Sequence, residues 1–287
     1  MTTGRAHLGR TGALTYLALY AAAGVVLVPF AWLLCGAFKK NEDFFTSSFL
    51  PRGEGIMGIA WSRLSFDNFR ALFDQTLMLR AMLNSVFLSS VTAILATLIC
   101  AAGGFALAKY DFRAKPALTW IVLGAVIIPP TLLLAPGYQL LFRLGLLDSF
   151  SGLILPAIAP AFGVYLFRQA SSSSVPDQLI EAARLDGCGE LRIFAAVAMP
   201  LMRPMAGAFM LITFLGVWNN FIGPQIVLQS AEKFPLAVSV AQLRGVYYQD
   251  YGLQIAGTLL SVAPVLVLFF ILQREFISGL TSGAIKE

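Results

Sequence analysis

Very few of the 287 residues are equipped for covalent chemistry. His7 is the only histidine, and Cys35, Cys100 and Cys188 are far apart, with no Cys-x-x-Cys pair. Histidine catalysis, a metal centre and a dithiol redox motif all lack material. The chain has no Gly-Lys dipeptide, so it holds no Walker A loop to cradle phosphates. These absences predict a protein that is not an enzyme, binds no metal and carries no cofactor of its own.

The informative spacing lies between Ser171 and Pro204, which read SSSSVPDQLIEAARLDGCGELRIFAAVAMPLMRP. Ser174, Pro176 and Asp177 read as a helix start: a hydroxyl cap, a proline in the first turn, then an acid. Leu179, Ile180 and Ala183 fall on one face at helical spacing. Gly187 suits the left-handed position just past a helix end. A second short helix is expected from Glu190 to Pro200, with Leu191, Phe194, Ala195 and Ala198 on one side. The product is a helix–turn–helix elbow, apolar on one face and charged on the other. Periodicity alone allows two readings, a connector resting on a membrane surface or an elbow shaped to enter a partner.

The elements that must position this elbow are strongly apolar. The chain is 58% hydrophobic and 12% charged, with a mean hydropathy of +0.77. Soluble chains are about 45–50% apolar and about a quarter charged, so the excess apolar surface calls for lipid. A bilayer core about 30 Å thick needs roughly 20 apolar residues in helix. Six segments free of Asp, Glu, Lys and Arg meet or approach that length: residues 14–38, 83–108, 117–142, 152–167, 204–225 and 255–273. The expected fold class is therefore an all-α integral membrane protein. One transmembrane domain over 1–287 would carry six helices, with the elbow (171–203) between helices four and five. Pro129, Pro130 and Pro136 are expected to bend or break the third span. The first uncharged run exceeds a signal-peptide core, so it reads as an uncleaved helix. The net charge of +5 forms no basic stripe, which argues against nucleic acid.

Lys109, Arg113 and Lys115 follow span two, and Arg168, Arg184, Arg192 and Arg203 follow span four. The loops after spans three and five are poorer in cations. That bias places both termini and the elbow in the cytoplasm. Lys39 and Lys40 run against it, at the expected outer end of span one.

Glu181-Ala182-Ala183, then Gly187, then Val197-x-Met199-Pro200 resemble the EAA loop of binding-protein-dependent ABC importer permeases. That pattern is E-A-A, three residues, G, nine residues, then I-x-L-P. Every spacing is kept; Val197 and Met199 replace Ile and Leu with little change of volume or polarity, and Asp186 before the glycine also matches. The run Ser171–Ser174 departs from the apolar residues common there. Leu64-Ser65-x-Asp67-Asn68-Phe69, Leu83-Asn84-Ser85, Trp218-Asn219-Asn220-Phe221 and the C-terminal Gly279–Lys286 resemble the carbohydrate-uptake, maltose-permease-like branch, in its shorter permease subunit.

That resemblance implies a multi-pass permease of a prokaryotic inner membrane, importing a sugar or related neutral polyol. It implies as partners a second homologous permease, two ATP-binding cassette subunits and an external solute-binding protein. ATP and Mg would sit on the ATPase subunits. Glu181, Ala182, Ala183, Asp186, Gly187 and Pro200 would form the joint to the ATPase, and Gly283, Ala284, Ile285 and Lys286 a tail that reaches between its subunits. The outer loop around Gly223–Tyr251 would meet the binding protein. Asn219 and Asn220 are polar enough to line a substrate path, or equally to bond between helices. The alternative is an ion-coupled secondary transporter or a channel subunit. The former calls for an ionisable residue at midplane, which these uncharged spans lack.

Overall fold

The structure, a computed structural model, describes residues 10–244 and 250–282, with side chains over 14–244 and 250–270. These residues are overwhelmingly helical. In chain order the α-helices are α1 (Arg10–Ala37), α2 (Asp67–Gln75), α3 (Met78–Lys109), α4 (Lys115–Ile127) and α5 (Leu134–Arg143). They continue with α6 (Phe150–Ala157), α7 (Ala161–Ser174), α8 (Asp177–Leu185), α9 (Glu190–Ile193) and α10 (Met199–Leu201). The last four are α11 (Arg203–Trp218), α12 (Ile222–Val227), α13 (Leu236–Gln242) and α14 (Tyr251–Ser282).

Contacts divide the chain into two compact units, Met1–Thr76 with Leu243–Val262, and Leu77–Gln242 with Ala263–Glu287. In the first unit, α1 buries none of its apolar window, as a lipid-facing span requires. Its last carbonyls have no partners within the helix. The Asn68 side chain of α2 donates to the carbonyls of Ala37 and Lys39 at 2.9 and 2.8 Å.

The second unit is built on α3. This helix of 32 residues, ~48 Å long at 1.5 Å per residue, packs along α7 and α11. Small residues on its inner face (Ala93, Ala96, Ala101, Gly104) let neighbouring backbones come close. At Gly104 a Cβ would lie 2.5 Å from the amide nitrogen of Arg168 and 2.6 Å from the Phe167 carbonyl carbon. No side chain larger than hydrogen fits there.

Among the described residues four helical stretches are long and apolar enough to cross a membrane: Leu14–Ala37, Met78–Lys109, Phe150–Ser174 and Tyr251–Phe270. Two bent pairs bring the number to as many as six. Lys115–Ile127 with Pro130–Arg143 turns by 99°, and Glu190–Leu201 with Arg203–Trp218 by 83°. The first bend follows from Pro129 and Pro130. A proline pushes the residue before it out of helical conformation and offers no N–H to the preceding turn, so α4 stops at Ile127.

Several boundaries differ from expectation; α3 begins at Met78 rather than 83, and α14 runs from Tyr251 to Ser282 rather than from 255 to 273. The fourth span reaches Ser174 rather than Phe167, so Ser171–Ser174 form the last turn of α7 instead of the entrance to the elbow. Ser174 is accordingly not a helix cap: α8 begins at Asp177 behind Pro176, with no side-chain cap. The serines tolerate helix because their hydroxyls bond backwards, Ser173 Oγ donating to the Gln169 carbonyl at 3.0 Å. The fifth span ends at Trp218 rather than Gln225, because Asn219–Phe221 break the helix before α12.

Gly104→Ala is expected to destabilise the purified chain by about 1–3 kcal/mol, the usual cost of overpacking a tight core. Gly207→Ala in α11, whose new Cβ would meet nothing within 4 Å, should instead stabilise by about 0.5–1 kcal/mol through helix propensity. Melting of both variants in detergent tests the pair; equal melting temperatures would contradict the close α3–α7 contact.

Candidate functional site: the elbow between α7 and α11

The first arm of the elbow is α8. It buries Ile180 and half-buries Ala183, while Glu181, Ala182 and Asp186 face outward. Leu179, expected on the inner face, is exposed. The helix ends in a Schellman turn: the Cys188 N–H donates to the Ala183 carbonyl at 2.9 Å and the Gly187 N–H to the Arg184 carbonyl at 3.0 Å. Gly187 sits at φ +75°, where a Cβ would collide with its own backbone.

The second arm runs through α9, a π turn at Phe194–Ala198, and α10. Pro200 has no N–H for the Ala196 carbonyl and its ring crowds that oxygen. The turn widens in response, the Met199 N–H reaching five residues back to the Phe194 carbonyl. The buried face of this arm is Ile193, Phe194, Val197 and Ala198. Leu191 and Ala195, expected on that face, point outward, and the arm continues past Pro200 to Leu201.

The inner faces of both arms belong to the same packed cluster as the spans. Val175, Ile180, Ile193, Ala198 and Met202 lie among Ala96, Cys100, Phe105 (α3), Phe167 (α7) and Phe209 (α11). The Phe105 ring stands 5.7 Å from Phe194 and 5.6 Å from Tyr110. Ser171, in the unusual serine run, is fully buried there and directs its hydroxyl at the Met202 sulfur, 3.0 Å away.

A polar brace, with no signal in the sequence, adds to this packing. Lys109, the last residue of α3, donates to Asp177 Oδ1 at 2.7 Å, in the first turn of α8. The Tyr110 hydroxyl donates to Glu190, and Arg184 grips both oxygens of the same carboxylate at 2.9 and 3.3 Å. The Arg184 guanidinium also lies 5.7 Å from the centre of the Tyr110 ring. Burial and the hydrogen bond to Glu190 push the Tyr110 hydroxyl up to about 12. The Arg184 and Tyr110 hydrogen bonds hold the Glu190 carboxyl below its ordinary value. The partners are up to 80 residues apart in the chain. Lys109 stood out in the sequence only as a cation flanking a span.

What remains outside is a protruding edge. Leu185 and Leu191 are 89% and 86% exposed, on either side of Gly187. The Glu181 and Asp186 carboxylates beside them form no hydrogen bond or ion pair among the described residues. An apolar tip flanked by unpaired carboxylates, on a bend that is rigid from behind, fits insertion into a partner surface with a cationic rim.

Asn219 and Asn220 stand at the break after α11. The Asn219 amide donates to the Leu215 carbonyl at 2.9 Å, and Asn220 Oδ1 accepts from the Gly223 N–H at 3.2 Å, so both serve local backbone. Asn220 also lines a cavity of about 40 Å³ with Ser85, Thr92, Leu153 and Pro235. That space holds one or two waters at most, not a sugar. Gly283, Ala284, Ile285 and Lys286 lie outside the described residues, as do residues 245–249 of the loop before α14. Among the described residues no three His, Cys, Asp or Glu side chains gather as a metal site would need.

The family model for the binding-protein-dependent transport system inner membrane component matches residues 93–275. The arabinooligosaccharides transport system permease protein AraQ of Halalkalibacterium halodurans is 37% identical over 265 residues, 92% of each chain. The lactose transport system permease protein LacG of Rhizobium radiobacter is 32% identical over 94% of this chain and 95% of its own. A chain from the crystal structure of a bacterial ABC transporter that imports the acidic polysaccharide alginate superposes with a TM-score of 0.80. It covers 96% of this chain and 99% of its own at 20% identity, and so agrees in fold.

The brace has a defined pH window. Glu190 has a folded pKa below its unfolded value of 4.5, so its contribution is complete above pH 4.5 and fades as pH falls through the folded value. The Tyr110 pKa is raised from 10.0 to about 12, so its contribution is complete below pH 10 and fades as pH rises toward 12. Tyr110→Phe should lower the melting temperature by about 2–4 °C, constantly from pH 5 to about 9. The gap should shrink on either side, and a gap that varies within the window would refute the bond.

Proposed function

The chain belongs to the family of binding-protein-dependent transport system inner membrane components, and from that membership we propose that it carries a sugar or related neutral polyol into the cell. It is a permease subunit of an ABC importer and not the ATPase. Its name-giving partner is a solute-binding protein; hydrolysis of ATP, with its Mg, falls to separate subunits.

The observation that carries the mechanism is the elbow, packed into the spans behind and unpaired in front. In our reading Leu185, Gly187 and Leu191 enter a groove on an ATP-binding cassette subunit, where Glu181 and Asp186 meet basic groups. Ala182 permits close approach, Ala183 packs inward, and Pro200 sets the angle of the second arm. Closure of two such ATPase subunits would push the elbow, and that of a second homologous permease, so that the spans rock between inward- and outward-facing states. The segment Gly283–Lys286 would extend between the ATPase subunits. Asn219 and Asn220 would face the path only once the cavity beside them widens.

A neutral solute fits spans without Asp, Glu, Lys or Arg, since a buried charge in the membrane usually marks an ionic site. The arabinooligosaccharide and lactose systems named for the relatives point to the same class. The cytoplasmic elbow and termini rest on the cation bias. Lys39, which ran against that bias, is buried: its ammonium donates to the Ser47 carbonyl at 2.7 Å and stands 5.2 Å from the Phe44 ring centre. Asp43 nearby is paired with Arg63 at 2.9 Å.

In vesicles holding the whole complex, Glu181→Ala and Gly187→Trp should each cut binding-protein-dependent uptake about tenfold or more, equivalent to ~1.4 kcal/mol of lost coupling. Full coupling in both variants would sink the docking role. The purified chain alone should neither bind nor hydrolyse ATP; stoichiometric ATP binding by it would contradict the division of labour. A membrane-impermeant thiol reagent should reach Glu181→Cys only from the cytoplasmic side.

A further inference from the structure

Asp148, in the turn between α5 and α6, adopts φ +52°. An Asp pays about 1 kcal/mol or more for that conformation, which is seldom kept without a reason. Here it aims the whole residue at one segment, Val227–Lys233. The Asp148 N–H donates to the Val227 carbonyl at 2.8 Å. Oδ1 accepts the N–H groups of Gln229 and Ser230, both at 3.0 Å. Oδ2 accepts the Ser230 hydroxyl and the Lys233 ammonium, the latter at 2.8 Å, and the same ammonium reaches the Asp148 carbonyl at 2.6 Å. Every donor and acceptor group of the residue is engaged, and these bonds hold the carboxyl well below the usual carboxylate range.

The same segment is gripped from its other side by the first turns of α3. The Asn84 amide donates to the carbonyls of Glu232 and Phe234 at 2.9 and 3.1 Å. The Ser85 hydroxyl accepts the Leu236 N–H at 2.7 Å, which caps the start of α13, and Arg80 pairs with Glu232 at 3.2 Å. This is where the Leu83-Asn84-Ser85 motif acts: it serves loop backbone some 150 residues away.

We propose that Asp148 is a positioning residue for transport, the centre of a latch that stays shut through the cycle. It holds residues 144–149, residues 227–236 and the first turns of α3 as one body. This rests on the importer reading above, in which these turns lie at the outer end of the spans, where a binding protein presents its solute. Opening the latch would strip an ammonium, a hydroxyl and three N–H groups of their partners at once, while α3 holds the segment from behind. A latch that stays shut lets the body move as a unit with α3, whose other end carries the brace to the elbow.

The test uses the complete complex in vesicles, with solute uptake and ATP hydrolysis measured together. Asp148→Ala should lower solute transported per ATP hydrolysed by about fivefold or more, with hydrolysis itself within about twofold of the parent. The double variant Asp148→Cys with Ser230→Cys should show the same deficit when reduced. When oxidised, with the 148–230 bond verified by peptide mapping, its ratio should return to that of the parent.

Three results would overturn the latch. One is parental coupling in Asp148→Ala. Another is a double variant that transports when reduced and stops when oxidised, because the segments must then separate in the cycle. The third is failure of the two cysteines to bond, which is read without any transport. Failure of the importer reading is distinguishable: the parent complex itself would take up no solute.

Discussion

The contact between α3 and α7 at Gly104 is the constraint on which the rest of the site depends. Helices in lipid gain no hydrophobic advantage by touching, so their association rests on close packing and on polar contacts. With hydrogen in place of a side chain, the backbone of α7 settles against α3 at Phe167 and Arg168. The consequences follow along the chain. Phe105, next to Gly104, reaches Phe194 in the second arm of the elbow. One turn on, Lys109 and Tyr110 arrive within hydrogen-bonding distance of Asp177 and Glu190. A larger residue at 104 would move the wall against which the elbow packs.

The parts legible in the sequence are those decided locally. Lipid demands about 20 apolar residues per span, and that demand marks the spans whatever they pack against. The Gly187 turn was legible for a similar reason, because its left-handed conformation and Schellman bonds involve only residues 183–188. The misreadings occur where two local rules compete. Serines before a proline suggest a cap, but the same hydroxyls can bond back within a helix, and in α7 burial of Ser171 favours the helix. In the second arm two stripes at helical spacing are available, one through Leu191 and Ala195 and one through Ile193 and Val197, and the fold buries the latter.

What could not be read is the polar framework at the two ends of α3. Lys109, Tyr110, Arg184 and Glu190 at one end, and Asn84, Ser85, Asp148 and Lys233 at the other, join residues 68 to 151 positions apart, Arg184–Glu190 aside. Each is an ordinary polar residue near a helix end, and a charge count treats it as solvated. Lys39 illustrates the error in such a count: it weighs as a full cation, yet the fold buries it against Phe44 and Ser47.

The two kinds of contact at the elbow divide the work of holding it. Exposed ion pairs are worth about 0–1 kcal/mol each and weaken in salt, so the brace alone would make a soft joint. The apolar cluster is different in character, because packed interiors resist compression and shift between discrete arrangements rather than deforming gradually. Ile180, Ile193, Ala198 and Met202 lie in one cluster with Phe105, Phe167 and Phe209. A displacement applied to the elbow edge therefore cannot be absorbed in the elbow without opening that cluster. In the proposed cycle it would pass to α3, α7 and α11 together. The polar pairs then set direction rather than strength: Lys109 and Tyr110 fix how the two arms are rotated about the end of α3, and so which edge, the one bearing Leu185 and Leu191, is left facing outward.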